Sequence, residues 1–172
     1  MRGGASRAAG MLCNPAMDKV RFTSDDSEPG AHMVQVPRGT ALVVDDDEPT
    51  RLLIATFLEQ DLGLQSVLAG TCEEALRLAK ERSFDIILLD LVMPGIGGFD
   101  VLRAIRSGSA NRETPVIVVS ILDDQASVER CMALKAHAFV AKPVNRKVVV
   151  GMVRAQLRSG ASSLRLPWQQ DS

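Results

Sequence analysis

Phe84–Gly98 reads FDIILLDLVMPGIGG. An almost unbroken apolar run, Phe84–Leu89, stops at a lone carboxylate, Asp90. A loop rich in Pro and Gly, Met93–Gly98, follows. The run is too short for a membrane span. Apolar on both faces, it fits a strand buried inside a parallel sheet. Beyond the loop, Phe99, Val101, Leu102 and Ile105 recur at the spacing of one helix face.

The same grammar repeats on both sides. Upstream, Ala41–Val44 is a short apolar run that ends in Asp45-Asp46-Asp47-Glu48. Pro49 suits a first helical position, where its missing N–H costs nothing. Leu52, Leu53, Ala55, Thr56 and Leu58 are read as the apolar side of that helix. Leu64–Ala69 reads as a second strand. Thr71 and Glu74 form a capping box, the hydroxyl bonding the N3 amide while the Glu reaches back. That box opens a helix carrying Ala75, Leu76, Leu78 and Ala79.

Downstream, Pro115–Val119 is a strand closing on Ser120. Asp123-Asp124 caps a helix with Val128, Cys131, Met132 and Leu134. Ala138–Ala141 is a strand before Lys142-Pro143. Asn145 caps a last helix bearing Val148, Val149, Met152, Val153 and Leu157. Strand and helix alternate throughout, which predicts a doubly wound α/β domain from about Thr40 to Arg158. Residues 1–39 follow neither period and read as a flexible tail. Within them Gly30–Met33, GAHM, resembles a tag-cleavage scar. Residues 159–172 read as a polar tail with Trp168.

At 172 residues the chain can bury a core without staples. Lys and Arg number 20 against 21 Asp and Glu, a net charge of −1. That balance argues against a nucleic-acid binder, as do the 3% aromatic content and the absence of Tyr. The 3 Cys are odd in number and widely spaced, which suits neither a disulfide framework nor a zinc site. With no apolar stretch long enough for a membrane or a signal peptide, a cytoplasmic protein is expected.

In such sheets ligands bind beyond the carboxyl ends of the strands. There the predicted strands present Asp45-Asp46, Asp90, Ser120 and Lys142. Each has a plain structural reading: an acidic first helical turn, a turn former, a strand-end hydroxyl, a Lys-Pro turn. Their joint placement points instead to a site. Carboxylates within roughly 4–6 Å repel strongly and call for a hard divalent cation; Mg²⁺ suits such oxygens. A metal, an ammonium and a hydroxyl together fit phosphoryl transfer, and a carboxylate can be the nucleophile.

ALVVDDDEPTR, DIILLDLVMPGIGGFD, PVIVVS and FVAKP together resemble the receiver domain of two-component response regulators, over about Thr40–Arg158. The resemblance implies a flavodoxin-like five-stranded parallel sheet in the order 2-1-3-4-5 with five helices. It implies phosphoryl transfer from a histidine kinase or histidine phosphotransfer protein to Asp90. Asp45, Asp46, Asp90 and the Val92 carbonyl would hold Mg²⁺, while Ser120 and Lys142 would bind phosphate oxygens. Ser120 and Phe139 would form the switch, with a cis peptide before Pro143. The chain would then catalyse only its own phosphorylation and slow dephosphorylation. It would signal through the face of the fourth helix, fifth strand and fifth helix, with a phosphorylation-dependent homodimer as one outcome.

The departures from the family pattern carry expectations of their own. Val92 and Leu122 cannot orient an attacking water, and Ile121 stands where a small residue is common. Three apolar groups over the site would exclude water and prolong the phosphorylated state. Lys135-Ala136 replaces a common Gly-Ala, which suggests a looser turn. Phe139 replaces the usual Tyr and has no hydroxyl. Ser159–Ser172 is too short for a helix-turn-helix unit, so the reading is a stand-alone receiver, with a piece of a longer regulator as its variant. An Asp-nucleophile phosphatase would need an acid two residues after Asp90, where Val92 stands. A binding module that merely keeps the fold would not need the full acidic set. His137 reads as a strand-edge residue and Cys72 and Cys131 as packing or surface groups. Met132 and Met152 are read as core or interface, and Arg51 and Arg103 as solvated.

Overall fold

The computed structural model describes residues 39–108 and 110–161. The expectations for the flanking tails, including the GAHM motif and Trp168, lie outside the described residues.

Strands β1 (Gly39–Val44), β2 (Leu64–Ala69), β3 (Ile86–Leu89), β4 (Val116–Ser120) and β5 (Ala138–Ala141) alternate with five helices. These are α1 (Glu48–Leu62), α2 (Cys72–Glu81), α3 (Gly98–Arg106), α4 (Gln125–Ala133) and α5 (Arg146–Ala161). All strand pairs are parallel and their order is β2-β1-β3-β4-β5. This is the expected doubly wound topology. β1 starts at Gly39, and α5 runs past Arg158 to Ala161.

The central strands are apolar on both faces because both faces are covered. Leu42, Val44, Ile87, Leu89, Val116 and Val118 pack with residues of α2, α3 and α4. Ala41, Val43, Ile86, Leu88, Ile117 and Val119 pack with Ile54 and Leu58 of α1 and Val149 and Val153 of α5. Alternate side chains of one strand thus feed two cores.

The caps follow the sequence closely. Thr71 accepts from the Glu74 amide at 3.1 Å, but the Glu74 carboxylate bonds Gly70 N–H, one residue further back than a standard box. Asp124 accepts from the Ser127 amide, and Asn145 from the Lys147 and Val148 amides. Asp47 caps α1, which puts Pro49 at the second helical position rather than the first.

Other expectations are corrected. The buried face of α1 is Ile54, Phe57 and Leu58, while Leu52 and Leu53 are exposed. Apolar residues nearly surround this helix, so periodicity alone does not choose its inner side. Of the two readings given for Met132 and Met152, core or interface, their exposure removes the core. The turn at Lys135 is tight: Lys135 takes φ 62°, its N–H bonds the Met132 carbonyl, and Ala136 N–H bonds that of Cys131. This is a Schellman closure with lysine in the left-handed position where glycine is usual.

Candidate functional site

The sheet register assembles the site. Val44 lies opposite Leu89, so the next residues, Asp45 and Asp90, emerge abreast. Leu89 lies opposite Val118, and Ser120 opposite Ala141, which brings Lys142 to the same edge. Backbone bonds continue past the strands: Asp90 N–H to Val44 O at 2.9 Å, and Lys142 N–H to Ser120 O at 2.9 Å. The Lys142-Pro143 peptide is cis, as anticipated.

Asp45 and Asp90 are 1% and 3% exposed. Between them lies the Lys142 ammonium, 2.8 Å from Asp45 Oδ2 and 2.6 Å from Asp90 Oδ2. The other oxygens face backbone donors: Asp45 Oδ1 accepts from Asp47 N–H and Asp90 Oδ1 from Val92 N–H, both at 3.0 Å. Burial raises the Asp45 pKa, and the Lys142 ammonium and the Asp47 amide offset this only in part. For Lys142 burial pulls the pKa down, but the two carboxylates overcome it and the pKa is raised. The ammonium therefore stays charged.

Asp46 completes the acidic set. Ligand oxygens of Asp45, Asp46 and Asp90 all lie within 4.8 Å of one another. One lysine does not satisfy three carboxylates. Asp45 Oδ2 is buried and faces the Lys142 ammonium, which also serves Asp90. An all-oxygen set in which three carboxylates converge on a single ammonium fits a hard divalent cation.

The remaining predicted residues lie around this cluster. Ser120 is fully buried, and its hydroxyl accepts from Leu122 N–H at 3.4 Å. Phe139 is half-buried against the core on the α2–α3–α4 side. Leu122 packs against the same core. Of the three apolar side chains expected to exclude water, Leu122 is thus turned to the core, while Val92 and Ile121 are exposed to solvent.

Two residues at this edge escaped the sequence reading. Arg51, expected to be solvated, is half-buried, and its guanidinium donates to the Asp45 carbonyl. Gly98 opens α3 directly against the loop after β3. A Cβ there would lie 2.3 Å from the Asp90 carbonyl oxygen and 2.5 Å from Leu91 Cα. Any side chain at 98 would displace the backbone that carries Asp90. The paired glycines were a signal for Gly98; nothing local marks Arg51.

With fold and geometry in hand, comparison with known proteins defines the class. Residues 41–154 match the response regulator receiver domain. The DNA-binding response regulator MtrA of Mycolicibacterium smegmatis is 34% identical over 121 residues, covering 70% of this chain and 51% of MtrA. The chain thus spans about half the length of that relative. The receiver domain of Francisella response regulator 1452 superposes with a TM-score of 0.65 at 27% identity, over 71% of this chain and 98% of that one. The receiver domain of the sensor histidine kinase PA1611 from Pseudomonas aeruginosa, solved with magnesium in its active-site cleft, gives 0.64 at 25% identity, over 70% and 98%. The chain belongs to the response regulator receiver domain family. Among the described residues, no helix is long and apolar enough to cross a membrane.

Proposed function

We propose that Asp90 is the phosphoacceptor of a two-component or phosphorelay pathway in the cytoplasm. The observation that carries this is the Lys142 ammonium held between the buried carboxylates of Asp45 and Asp90. An Asp90 oxygen attacks the phosphorus of a phosphohistidine on a histidine kinase or phosphotransfer protein. The O–P bond forms as the P–N bond breaks, and the imidazole leaves with a proton. Lys142 then exchanges a carboxylate partner for a phosphoryl oxygen, and the Ser120 hydroxyl binds another. Asp45, Asp46, Asp90 and the Val92 carbonyl would hold Mg²⁺, which when bound neutralises charge on the transferred group.

Drawing Ser120 inward frees space for Phe139, and the packing of α4, β5 and α5 shifts between two states. Exposed Met132, Val148 and Met152 on α4 and α5 support this face as the output surface, for a downstream protein or a second phosphorylated copy. Labelling by acetyl phosphate tests the reading. With Mg²⁺ the full chain is expected to gain one phosphoryl mass, and Asp90→Asn none. Full labelling of Asp90→Asn would remove Asp90 from the role. Failure of the unmodified chain to bind either Mg²⁺ or beryllofluoride would favour a binding module that only keeps the fold.

A further inference from the structure

We infer that Arg51 is a positioning residue for the divalent-cation site, and that Gly70 leaves the Arg51 guanidinium room that a bulky side chain there would take. This rests on the Mg²⁺ reading above. It starts from an asymmetry among the carboxylates. Asp45 and Asp90 are each held by a backbone amide and by Lys142. Asp46 is exposed, and no hydrogen bond or ion pair among the described residues holds its carboxylate. Its aim is therefore set by its backbone.

That backbone leaves the sheet here, since Val44 is the last residue of β1. The Asp45 carbonyl belongs to the same rigid peptide unit as the Asp46 N–H. Arg51 reaches back from α1 and donates to that carbonyl. Arg51 is itself anchored, its own N–H bonding the Asp47 carbonyl at 3.0 Å. On its other side lies Gly70, just past β2. A Cβ at 70 would come within 3.3 Å of Nη1 and 3.6 Å of Nη2. Gly70 has no positive φ that would call for glycine. Its N–H is tied to Glu74 at 3.0 Å, so the wall behind the guanidinium is fixed. The guanidinium is wedged between the ends of β1 and β2 and clamps the peptide that aims Asp46.

Charge and positioning predict opposite signs. A cation near a Mg²⁺ site repels the ion, so if Arg51 acted only through charge its removal would tighten binding. If it positions Asp46, its removal loosens binding despite the relief of repulsion. Outer groups that orient metal ligands typically contribute ~10–100-fold in affinity. Isothermal calorimetry of Mg²⁺ binding to the full chain, with unfolding in EDTA as the stability control, reads this directly. Arg51→Ala is expected to weaken Mg²⁺ about tenfold. Arg51→Lys, which keeps the charge but loses the planar fork, recovers only part of it. Gly70→Val keeps every charge, displaces the guanidinium and weakens Mg²⁺ similarly, and the double variant is no worse than either single one. Unchanged or tighter binding by Arg51→Ala, or wild-type affinity in Gly70→Val, would overturn the positioning role alone. A parent chain that does not bind Mg²⁺ would overturn the metal reading and this inference with it.

Discussion

The two ends of the sheet treat buried polar groups in opposite ways. At the amino-terminal edge, Asn111 is 0% exposed and uses its whole bonding capacity. Its Oδ1 accepts from Phe84 N–H and the Thr114 hydroxyl, and its Nδ2 donates to the Ala79 and Arg82 carbonyls. Arg106 beside it ties the Lys135, Asn111, Arg112 and Thr114 carbonyls together. At the carboxyl-terminal edge Asp45 and Asp90 are almost as buried, yet the two carboxylates share one lysine and sit beside a third, Asp46. One edge holds the fold together. The other keeps unmet electrostatic demand that a cation and a phosphoryl group can answer.

The sharpest way to break this contrast is Asn111→Ala. Burying the Phe84 N–H and the Ala79 and Arg82 carbonyls without partners should cost about 3 kcal/mol. Urea unfolding should show that loss equally with and without Mg²⁺. A Mg²⁺ increment that vanished along with Asn111 would mean the edges are coupled rather than separate.

The converse test concerns the carboxyl edge. Mg²⁺ at about 100 times its dissociation constant should add about 2.7 kcal/mol to stability, and EDTA should reverse it. Asp46→Asn should abolish the increment yet stay within about 0.5 kcal/mol of the parent chain in EDTA, since its carboxylate is exposed and unbonded.

Lys135 offers a smaller effect. Its left-handed backbone would suit glycine without strain, so Lys135→Gly should raise stability by about 1 kcal/mol, read from the urea midpoint. A loss would mean that the lysine side chain contributes more than its backbone costs.

The smallest effect is a pH dependence at the amino edge. His137 Nδ1 lies 3.3 Å from both Arg106 Nη2 and Val116 N–H, so it acts as an acceptor in a neutral ring. Burial lowers the His137 pKa, Arg106 lowers it further, and Glu113 opposes them. Among the charged groups nearby, Arg112 and Lys135 line the same shallow pocket. Because the folded pKa lies below the ordinary 6.5, the unfolded chain takes the proton first as pH falls. The contribution is present above pH 6.5 and is lost as pH drops through the folded value. Unfolding midpoints between pH 7.5 and about 5.5 should fall more steeply in the parent than in His137→Asn.

Much of the domain was legible before any coordinates. Strand runs ending in Asp45, Asp90, Ser120 and Lys142, and caps at Thr71, Asp124 and Asn145, are local signals, written within a few residues and repeated in one grammar. Given right-handed parallel connections, those strand ends must share an edge. That is why the convergence of the acidic cluster and its lysine, a candidate site, was readable in advance.

What tertiary structure alone decided is equally specific. The inner face of α1 is set by what α1 packs against, because Leu52, Leu53, Ile54, Phe57 and Leu58 leave its periodicity ambiguous. The roles of Asn111, Arg106 and Arg51, and the need for glycine at 98, depend on backbone groups that the sheet register and helix docking bring near. Periodicity encodes neighbours within one or two turns of chain. Hydrogen bonds and steric limits between distant segments exist only once the fold has brought those segments together.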